Sequence, residues 1–341
     1  MDRRRTLAIA VAATAGALGA FPAAAQVTLT YSSWVPPTHS LSVWQRNWAN
    51  ELEKATAGRI KVQELPKAPA AAPGTFDGVR DGLMDFSYVT ASYTPARHIL
   101  PLMAELPGAG ATAEINSVAY SRIHWKHLHK VGEYKGVKLM AVWTHGPGQM
   151  FTKKPVKTLA DFKNQKIRTG GGISEKVVSA LGGSPFFKPA PESYELLSSG
   201  VADGVFFPFE SIVSFKLDKV ITQATVFPGG LYSSAFGFFM NEAKWSKLSK
   251  QDQDIIEKMS GEAAARSNGR SWDAADEGGL KALKAAGANI VQADAAMVAE
   301  AKRLSAPVID EWIKNASGKL PNAKAVLDEF HEELKKVAAG K

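Results

Sequence analysis

The feature that most constrains the fold is a strand–helix–strand pattern near the start of the chain. Residues 27–32 alternate apolar and polar side chains, as a half-buried strand does. A helix is predicted from Leu41 to Ala57, because apolar side chains recur along one face and Gly58 ends it. Residues 59–65 alternate again. Two strands joined by a helix favour a parallel or mixed sheet, so the predicted fold class is α/β.

Residues 1–25 have the pattern of a secretory signal peptide. Three arginines at 3–5 precede an apolar, alanine-rich run, and alanines at 23–25 form a small-residue cleavage site. The run is too short for a stable membrane anchor. The general and the twin-arginine export routes both stay open. We therefore expect an exported, soluble protein in the periplasm.

Composition excludes several kinds of chemistry. The chain of 341 residues contains no cysteine, which excludes disulfides, thiolate catalysis and cysteine-based metal sites. Its net charge of +8 falls to +6 without residues 1–25, which hold three arginines and one aspartate. The basic residues are scattered without interleaved aromatic residues, so no nucleic-acid partner is expected. A mildly basic surface suits small anionic ligands.

The remaining pattern predicts two lobes. A Gly-Pro-Gly segment at 146–148 follows an apolar strand at 137–144, which we predict to be central in its sheet. The predicted boundaries are 26–145 plus 234–272 for lobe 1, 146–233 plus 273–318 for lobe 2, and a C-terminal helix at 319–341 that packs on its own lobe or on a neighbour. Residues 235–240 are predicted to cross back as a strand. A long helical region from Ser249 is expected to be interrupted near Gly278 and Gly279.

Several segments in a fixed order resemble the solute receptors of tripartite ATP-independent periplasmic (TRAP) transporters, of the dicarboxylate-receptor-like family. Residues 78–86 read Gly-Val-Arg-Asp-Gly-Leu-Met-Asp-Phe, and residues 159–168 read Leu-Ala-Asp-Phe-Lys-Asn-Gln-Lys-Ile-Arg. Residues 193–204 and 240–249 complete the pattern. The resemblance covers essentially the whole chain after residue 25.

The resemblance implies a periplasmic binding protein fold with mixed sheets, crossover hinge strands and a long lobe-spanning helix. It also implies a receptor that closes around an organic acid and delivers it to membrane permease subunits. A receptor that signals to a membrane sensor kinase is an alternative that sequence does not separate from uptake. A secreted α/β hydrolase is a weaker alternative, because no Gly-x-Ser-x-Gly or His-Glu-x-x-His motif is present. We expect a monomer without enzymatic activity or cofactor.

Arg168 is the principal candidate for ligand binding. It matches the carboxylate-binding arginine of the family, and it ends a short strand in front of glycines at 170–172. A guanidinium can return two charge-assisted hydrogen bonds to a carboxylate that has lost its water. Glycines such as Gly171 allow backbone N–H groups to approach a ligand closely.

Two departures from the family predict what else the ligand carries. Sialic-acid-type and many dicarboxylate receptors have a second arginine where this chain has Gly148, and an amide where it has Phe207. One cation is lost and an aromatic face is gained. The resemblance, so altered, implies a monocarboxylate with an apolar or aromatic body that stacks on Phe207. Alternation along the strand predicts that either Phe206 or Phe207 faces the cleft and the other packs inward.

The first lobe supplies further candidates. Trp34 and Thr90 fall at positions that line the cleft in relatives, although Trp34 could instead pack a helix. Tyr93, Glu210 and Tyr232 are additional candidates.

No metal site is predicted. Relatives that bridge a 2-oxo acid with a metal carry a carboxylate where this chain has phenylalanines. His124, His127 and His129 form a histidine cluster, which we interpret as part of a solvated basic helix.

Overall fold

The computed structural model describes residues 26–110 and 112–341. The predicted signal peptide therefore lies outside the described residues. The strands are β1 (Val27–Tyr31), β2 (Ile60–Glu64), β3 (Phe86–Thr90), β4 (Val137–Thr144), β5 (Gln149–Thr152), β6 (Lys166–Thr169), β7 (Ser184–Phe187), β8 (Gly204–Phe207), β9 (Gln223–Val226), β10 (Ala235–Asn241) and β11 (Asn289–Gln292). The helices are α1 (Ser40–Ala55), α2 (Thr75–Arg80), α3 (Ala113–Ile123), α4 (Leu159–Phe162), α5 (Gly172–Ala180), α6 (Ser193–Ser198), α7 (Phe209–Ser214), α8 (Glu242–Trp245), α9 (Lys250–Lys258), α10 (Gly261–Ala285), α11 (Ala295–Ser317) and α12 (Ala323–Ala338).

Two mixed sheets form the two lobes and confirm the predicted fold class. The first sheet has the order β2-β1-β3-β10-β4, with β1 parallel to its neighbours and β10 antiparallel to β3 and β4. The second has the order β11-β9-β5-β8-β6-β7. In it β6 runs parallel to β7 and β8, and β5 runs antiparallel to β8 and β9.

The chain crosses between the sheets at two adjacent places. One crossover follows β4, and the other precedes β10. The His145 N–H donates to the Ser234 carbonyl at 3.2 Å, and the Gly148 N–H donates to the Tyr232 carbonyl at 2.8 Å. These bonds hold the crossovers side by side, which is the arrangement of a two-strand hinge.

The prediction that β4 is central was wrong. Among the described strands it pairs with β10 alone and lies at the edge of its sheet, whereas β10 occupies an interior position. Apolar side chains still fill β4 because α3 and α10 pack against it. Burial by helices and burial between strands leave the same apolar run in a sequence.

The long helix α10 packs on α1, α3 and β4 of one lobe and on α7 of the other. It is not interrupted at Gly278 and Gly279; the break in the helical region lies between α9 and α10. A Cβ at Gly279 would lie 2.1 Å from the carbonyl oxygen of Phe209. The glycine therefore permits a close helix–helix approach rather than ending the helix.

Aromatic rings fill the space between α1 and the first sheet. Trp48 meets Phe238 and Phe86 edge-on, at 5.0 and 5.5 Å between ring centroids, and Trp44 meets Phe238 at 5.4 Å. The C-terminal helix α12 packs on α3 and α11 of its own chain. Among the described residues, no helix combines the length and apolar character required to cross a bilayer.

Candidate ligand-binding site

A cleft between the two sheets brings most of the predicted residues together. It is entered from the carboxyl ends of the parallel strands β1, β3, β6 and β8, where open α/β sheets bind ligands. We call this cavity the cleft. The residues that line it are Trp34, Val35, His39, Leu41, Thr90, Tyr93, His145, Arg168, Gly170, Ala190, Phe207, Pro208, Ser211, Phe215, Tyr232, Ser234, Phe236 and Trp272.

Arg168 lines the cleft and is 1% exposed. Its Nε and Nη2 donate to the carbonyl oxygen of Lys188 at 2.8 and 2.6 Å, which fixes the plane of the guanidinium. Its central carbon lies 4.5 Å from the centre of the Phe207 ring. Nη1 makes no hydrogen bond to the described residues.

No carboxylate of the described residues forms an ion pair with Arg168. Burial lowers the pKa of the guanidinium from its ordinary value. A guanidinium nevertheless keeps its proton in proteins, so it cannot become neutral to avoid the desolvation penalty. A buried cation that is held rigidly and lacks a counter-ion is suited to receive an anion.

Alternation along β8 separates the two phenylalanines. Phe206 is fully buried and stacks between the lobe core and the hinge, with ring centroids 5.9 Å from both Phe162 and Tyr232. Phe207 faces the cleft and stacks with Phe215 at 5.6 Å. Phe207 lines the cleft, and because the Arg168 guanidinium lies over its ring, it also stabilises that cation through a cation–π interaction.

Tyr232 occupies the space that a side chain at position 148 would need. A Cβ built at Gly148 would lie 2.1 Å from Cε1 of Tyr232, well inside any allowed contact. The two residues form an antiparallel bridge, and the Tyr232 hydroxyl donates to the Phe206 carbonyl at 2.9 Å. A second arginine at position 148 is therefore incompatible with this packing.

The first lobe contributes Trp34, Thr90 and Tyr93. The Trp34 indole donates to the Tyr88 carbonyl at 2.9 Å, and its ring lies 5.4 Å from that of Tyr93. The Tyr93 hydroxyl accepts a hydrogen bond of 2.9 Å from the Ala190 N–H on the other lobe. This bond crosses the cleft and leaves the phenolic hydrogen free to donate.

Two sequence candidates lie behind the cleft wall rather than in it. Gly171, with a φ of 81°, faces the first lobe, where an added Cβ would lie 3.0 Å from the Ser92 carbonyl oxygen. Gly170 takes the lining position that was predicted for Gly171. Glu210 accepts from the Ser40 N–H at 2.9 Å and pairs with His39 at 3.1 Å, so it joins the lobes. Their contribution to ligand contact stays a prediction.

His39, His145 and Trp272 line the cleft and were not among the sequence candidates. His39 caps α1, His145 directly follows β4 at the crossover, and Trp272 belongs to α10. The position of His145 next to the Gly-Pro-Gly crossover was the one local signal available. The other two are brought in by contacts between distant segments.

The interpretation of the histidine cluster as solvated was wrong for His124. Its ring is 2% exposed and packs against Tyr120, Trp125 and Tyr134, and burial lowers its pKa to about 3. His127 instead meets Glu329 of α12 at 2.9 Å. Among the described residues, no three histidine, aspartate or glutamate side chains converge as metal ligands would.

The fold and the cleft define a two-lobed extracytoplasmic solute-binding protein. Residues 31–315 match the model of the bacterial extracellular solute-binding protein family 7 (DctP), and the chain belongs to this family. Together with its structural neighbours, this membership places it among the TRAP solute receptors, as the sequence resemblance implied.

Solved structures of TRAP receptors share the whole fold. A TRAP periplasmic solute-binding protein from Bordetella bronchiseptica, solved with bound (R)- and (S)-mandelate, is 45% identical, with a TM-score of 0.88 over 91% of this chain and 99% of that one. One from Rhodoferax ferrireducens, solved with copurified benzoate, is 27% identical, with a TM-score of 0.87 over 92% and 99%. A Comamonas testosteroni protein named outer membrane transporter protein TsaT is 29% identical over 94% of this chain and 96% of its own.

Proposed function

We propose that this protein captures an aromatic monocarboxylate in the periplasm and delivers it to TRAP permease subunits. The observation that carries the proposal is Arg168, a buried cation without a counter-ion among residues 26–110 and 112–341, in a cleft with aromatic walls. A carboxylate can accept from the free Nη1 of Arg168 and from the phenolic hydrogen of Tyr93. The ligand carboxylate then serves as the counter-ion of Arg168.

The cleft can neutralise the negative charge of one ligand carboxylate. Among the described lining residues, Arg168 is the one arginine or lysine. Burial lowers the pKa of both lining histidines, His39 and His145, so neither supplies a second positive charge at neutral pH. A second carboxylate in the cleft would be buried without a partner, at a cost of several kcal/mol.

An aromatic body suits the remaining surface of the cleft. Trp34, Tyr93, Phe207, Phe236 and Trp272 present rings or ring edges, and aromatic groups gain from edge-to-face and offset contacts with them. The relatives solved with mandelate and benzoate carry ligands of this class.

Ligand binding would favour the closed arrangement of the lobes. Arg168 and Phe207 belong to the second sheet, whereas Trp34, Thr90 and Tyr93 follow strands of the first. A ligand that touches both sets binds the closed form more tightly and shifts the population towards it. We propose that the lobes rotate about the paired crossovers; the lobe boundaries at 145–146 and 233–234 stay a prediction.

Membership in a solute-binding protein family supports the proposed delivery to permease subunits. We propose that the receptor acts as a monomer without turnover of its ligand. Its export to the periplasm would depend on residues 1–25.

Calorimetric titration of the mature protein, residues 26–341, tests the proposal. We expect benzoate and mandelate to bind with one-to-one stoichiometry and to be recovered unchanged. Benzamide, which keeps the ring and shape of benzoate without its charge, should bind at least 100-fold more weakly. Comparable affinity for benzamide, or tighter binding of succinate than of benzoate, would contradict an aromatic monocarboxylate site.

A further inference from the structure

We infer that His145 accepts a hydrogen bond from a hydroxyl group of the ligand and thereby selects hydroxylated aromatic acids over their deoxy counterparts. The inference rests on the proposed function and names a specificity-determining residue for the same cleft. Its basis is the tautomer of this imidazole and the freedom of one of its nitrogens.

The carbonyl oxygen of Gly146 identifies which nitrogen of the His145 ring carries the hydrogen. Nδ1 lies within hydrogen-bond distance of the Gly146 carbonyl oxygen, and a carbonyl oxygen can only accept. Nδ1 must therefore carry the hydrogen. Burial lowers the pKa of His145 to about 4, so the ring is neutral at neutral pH and Nε2 is a bare acceptor.

Nε2 of His145 is available to a ligand. It makes no hydrogen bond to the described residues. Nε2 of His98 and both ring nitrogens of His124 also lack a hydrogen bond, but they have almost no solvent-accessible surface. Nε2 of His145 is not among such fully enclosed atoms. Nε2 thus keeps accessible surface although the residue as a whole is only 5% exposed. Since His145 is one of the residues that line the cleft, we assign that surface to the cleft.

The second histidine of the cleft shows what a fully engaged ring looks like. Nδ1 of His39 accepts from the Leu41 N–H at 3.2 Å, and its Nε2 lies 3.1 Å from Glu210. Both nitrogens of His39 are therefore used within the protein. His145 differs by having one nitrogen left over.

The surroundings of His145 make that nitrogen selective. Tyr232, Trp272 and Phe236 pack around the ring at centroid distances of 5.4, 5.7 and 6.4 Å. The Tyr232 hydroxyl already donates to the Phe206 carbonyl, so it does not satisfy Nε2. A ligand carboxylate would place lone pair against lone pair there, whereas a hydroxyl supplies the missing donor. A deoxy ligand would leave a buried acceptor unpaired, which sites of this kind reject.

Paired ligands measure the selection directly. Mandelate and phenylacetate differ by a hydroxyl beside the carboxylate, and 3-hydroxybenzoate and benzoate differ by a hydroxyl on the ring. We expect the hydroxylated member of at least one pair to bind about tenfold more tightly to the wild-type protein, and the pair that responds shows where the hydroxyl sits. In His145→Phe the ratio should fall to about one, because the deoxy acid no longer leaves an acceptor unpaired and the ligand hydroxyl loses its partner. His331→Phe, on α12 outside the cleft, is the matched control and should keep the wild-type ratio.

The outcomes separate this inference from the proposed function. If no aromatic acid binds, the proposed function fails. If aromatic acids bind but both pairs show equal affinities, or if His145→Phe keeps the wild-type ratio, the role of His145 is refuted while the receptor assignment stands.

A measurement on the wild-type protein covers the case in which His145→Phe does not fold. Nitrogen NMR of histidine-labelled protein should show a His145 ring with a bare Nε2. Its resonance should move upfield, as for an acceptor that gains a hydrogen bond, with the preferred hydroxy acid and not with its deoxy partner. An unchanged Nε2 resonance with both hydroxy acids would overturn the inference.

Discussion

Arg168 and Arg122 are both immobilised arginines, but their surroundings are opposite. Arg122 is about 30% exposed and joins three helices, with its guanidinium 2.8 Å from carboxylate oxygens of Glu262 and Glu333. Glu262 is shared with Arg266 at 2.7 Å. Arg168 is almost fully buried, and among the described residues it donates hydrogen bonds only to the carbonyl oxygen of Lys188.

The difference distinguishes a structural arginine from a binding arginine. The charge of Arg122 is paired with the carboxylates of Glu262 and Glu333, and these ion pairs hold α3, α10 and α12 together. The environment of Arg168 is incomplete, since the protein bears the cost of burying a charge without the gain of pairing it. Charges left unpaired inside a well-packed protein mark the places where an outside group is expected.

The largest expected effect comes from removing the unpaired cation. Arg168→Ala should weaken benzoate and mandelate binding by at least 100-fold, because truncation leaves the ligand carboxylate buried without a partner. The ligand-free protein should unfold at an unchanged or higher temperature, since an uncompensated charge is gone. Calorimetric titration and thermal unfolding measure the two effects. Wild-type affinity in this variant would remove the basis of the binding site.

A side chain at position 148 tests whether the cleft is restricted to one cation. Gly148→Ala places a Cβ where the Tyr232 ring lies, so we expect a loss of about 1–3 kcal/mol in the free energy of unfolding. Gly278→Ala is the control, because nothing lies within 4 Å of a Cβ there. Chemical denaturation compares the variants. Equal stability of Gly148→Ala and wild type would show that Tyr232 can move aside for a second arginine.

Glu105 is a buried carboxyl group that forms no ion pair with the described residues and that can lose its charge. Its Oε1 accepts from the Ser92 hydroxyl at 2.6 Å and the Ala235 N–H at 3.0 Å, and burial raises its pKa to about 8. Between its ordinary pKa of 4.5 and about 8, the folded protein keeps a proton that the unfolded chain releases. The contribution of this group to the free energy of unfolding therefore falls as pH rises, by up to about 1.4 kcal/mol per pH unit.

Glu105→Gln keeps the acceptor and cannot ionise. Relative to wild type, it should become progressively more stable from pH 5 to pH 8, as measured by urea denaturation at each pH. The shared titration of all other groups cancels in this difference. A difference that does not change with pH would show that Glu105 is charged in the folded protein.

The smallest effect is expected at the paired arginine. Arg122→Ala should lower the free energy of unfolding by about 1 kcal/mol, because its partners are partly exposed and water screens them. Affinity for aromatic acids should equal that of wild type. Denaturation and titration of the same sample check both statements, and a loss of affinity would link α12 to the cleft.

Many of the strands and helices, and the principal cation Arg168, could be predicted from the sequence because they have local signatures. Alternation predicted β1 and β2, and an apolar run predicted the return strand β10. Short strands without clear alternation, such as β7 and β11, have no such signature in the sequence. Burial by helices could not be distinguished from burial between strands, which misplaced β4.

What the sequence by itself determined is that an arginine ends a strand before glycines, and that the second arginine and the amide of relatives are missing. Only the tertiary structure decided how these facts combine. It placed the Tyr232 ring against Gly148, brought Glu210 into contact with His39, and left Nε2 of the cleft-lining His145 without a hydrogen bond to the described residues. The first two are contacts between segments more than 80 residues apart, and the third is the absence of such a contact. Local sequence patterns record a residue's own backbone and burial, and they do not record which distant group fills the space beside it.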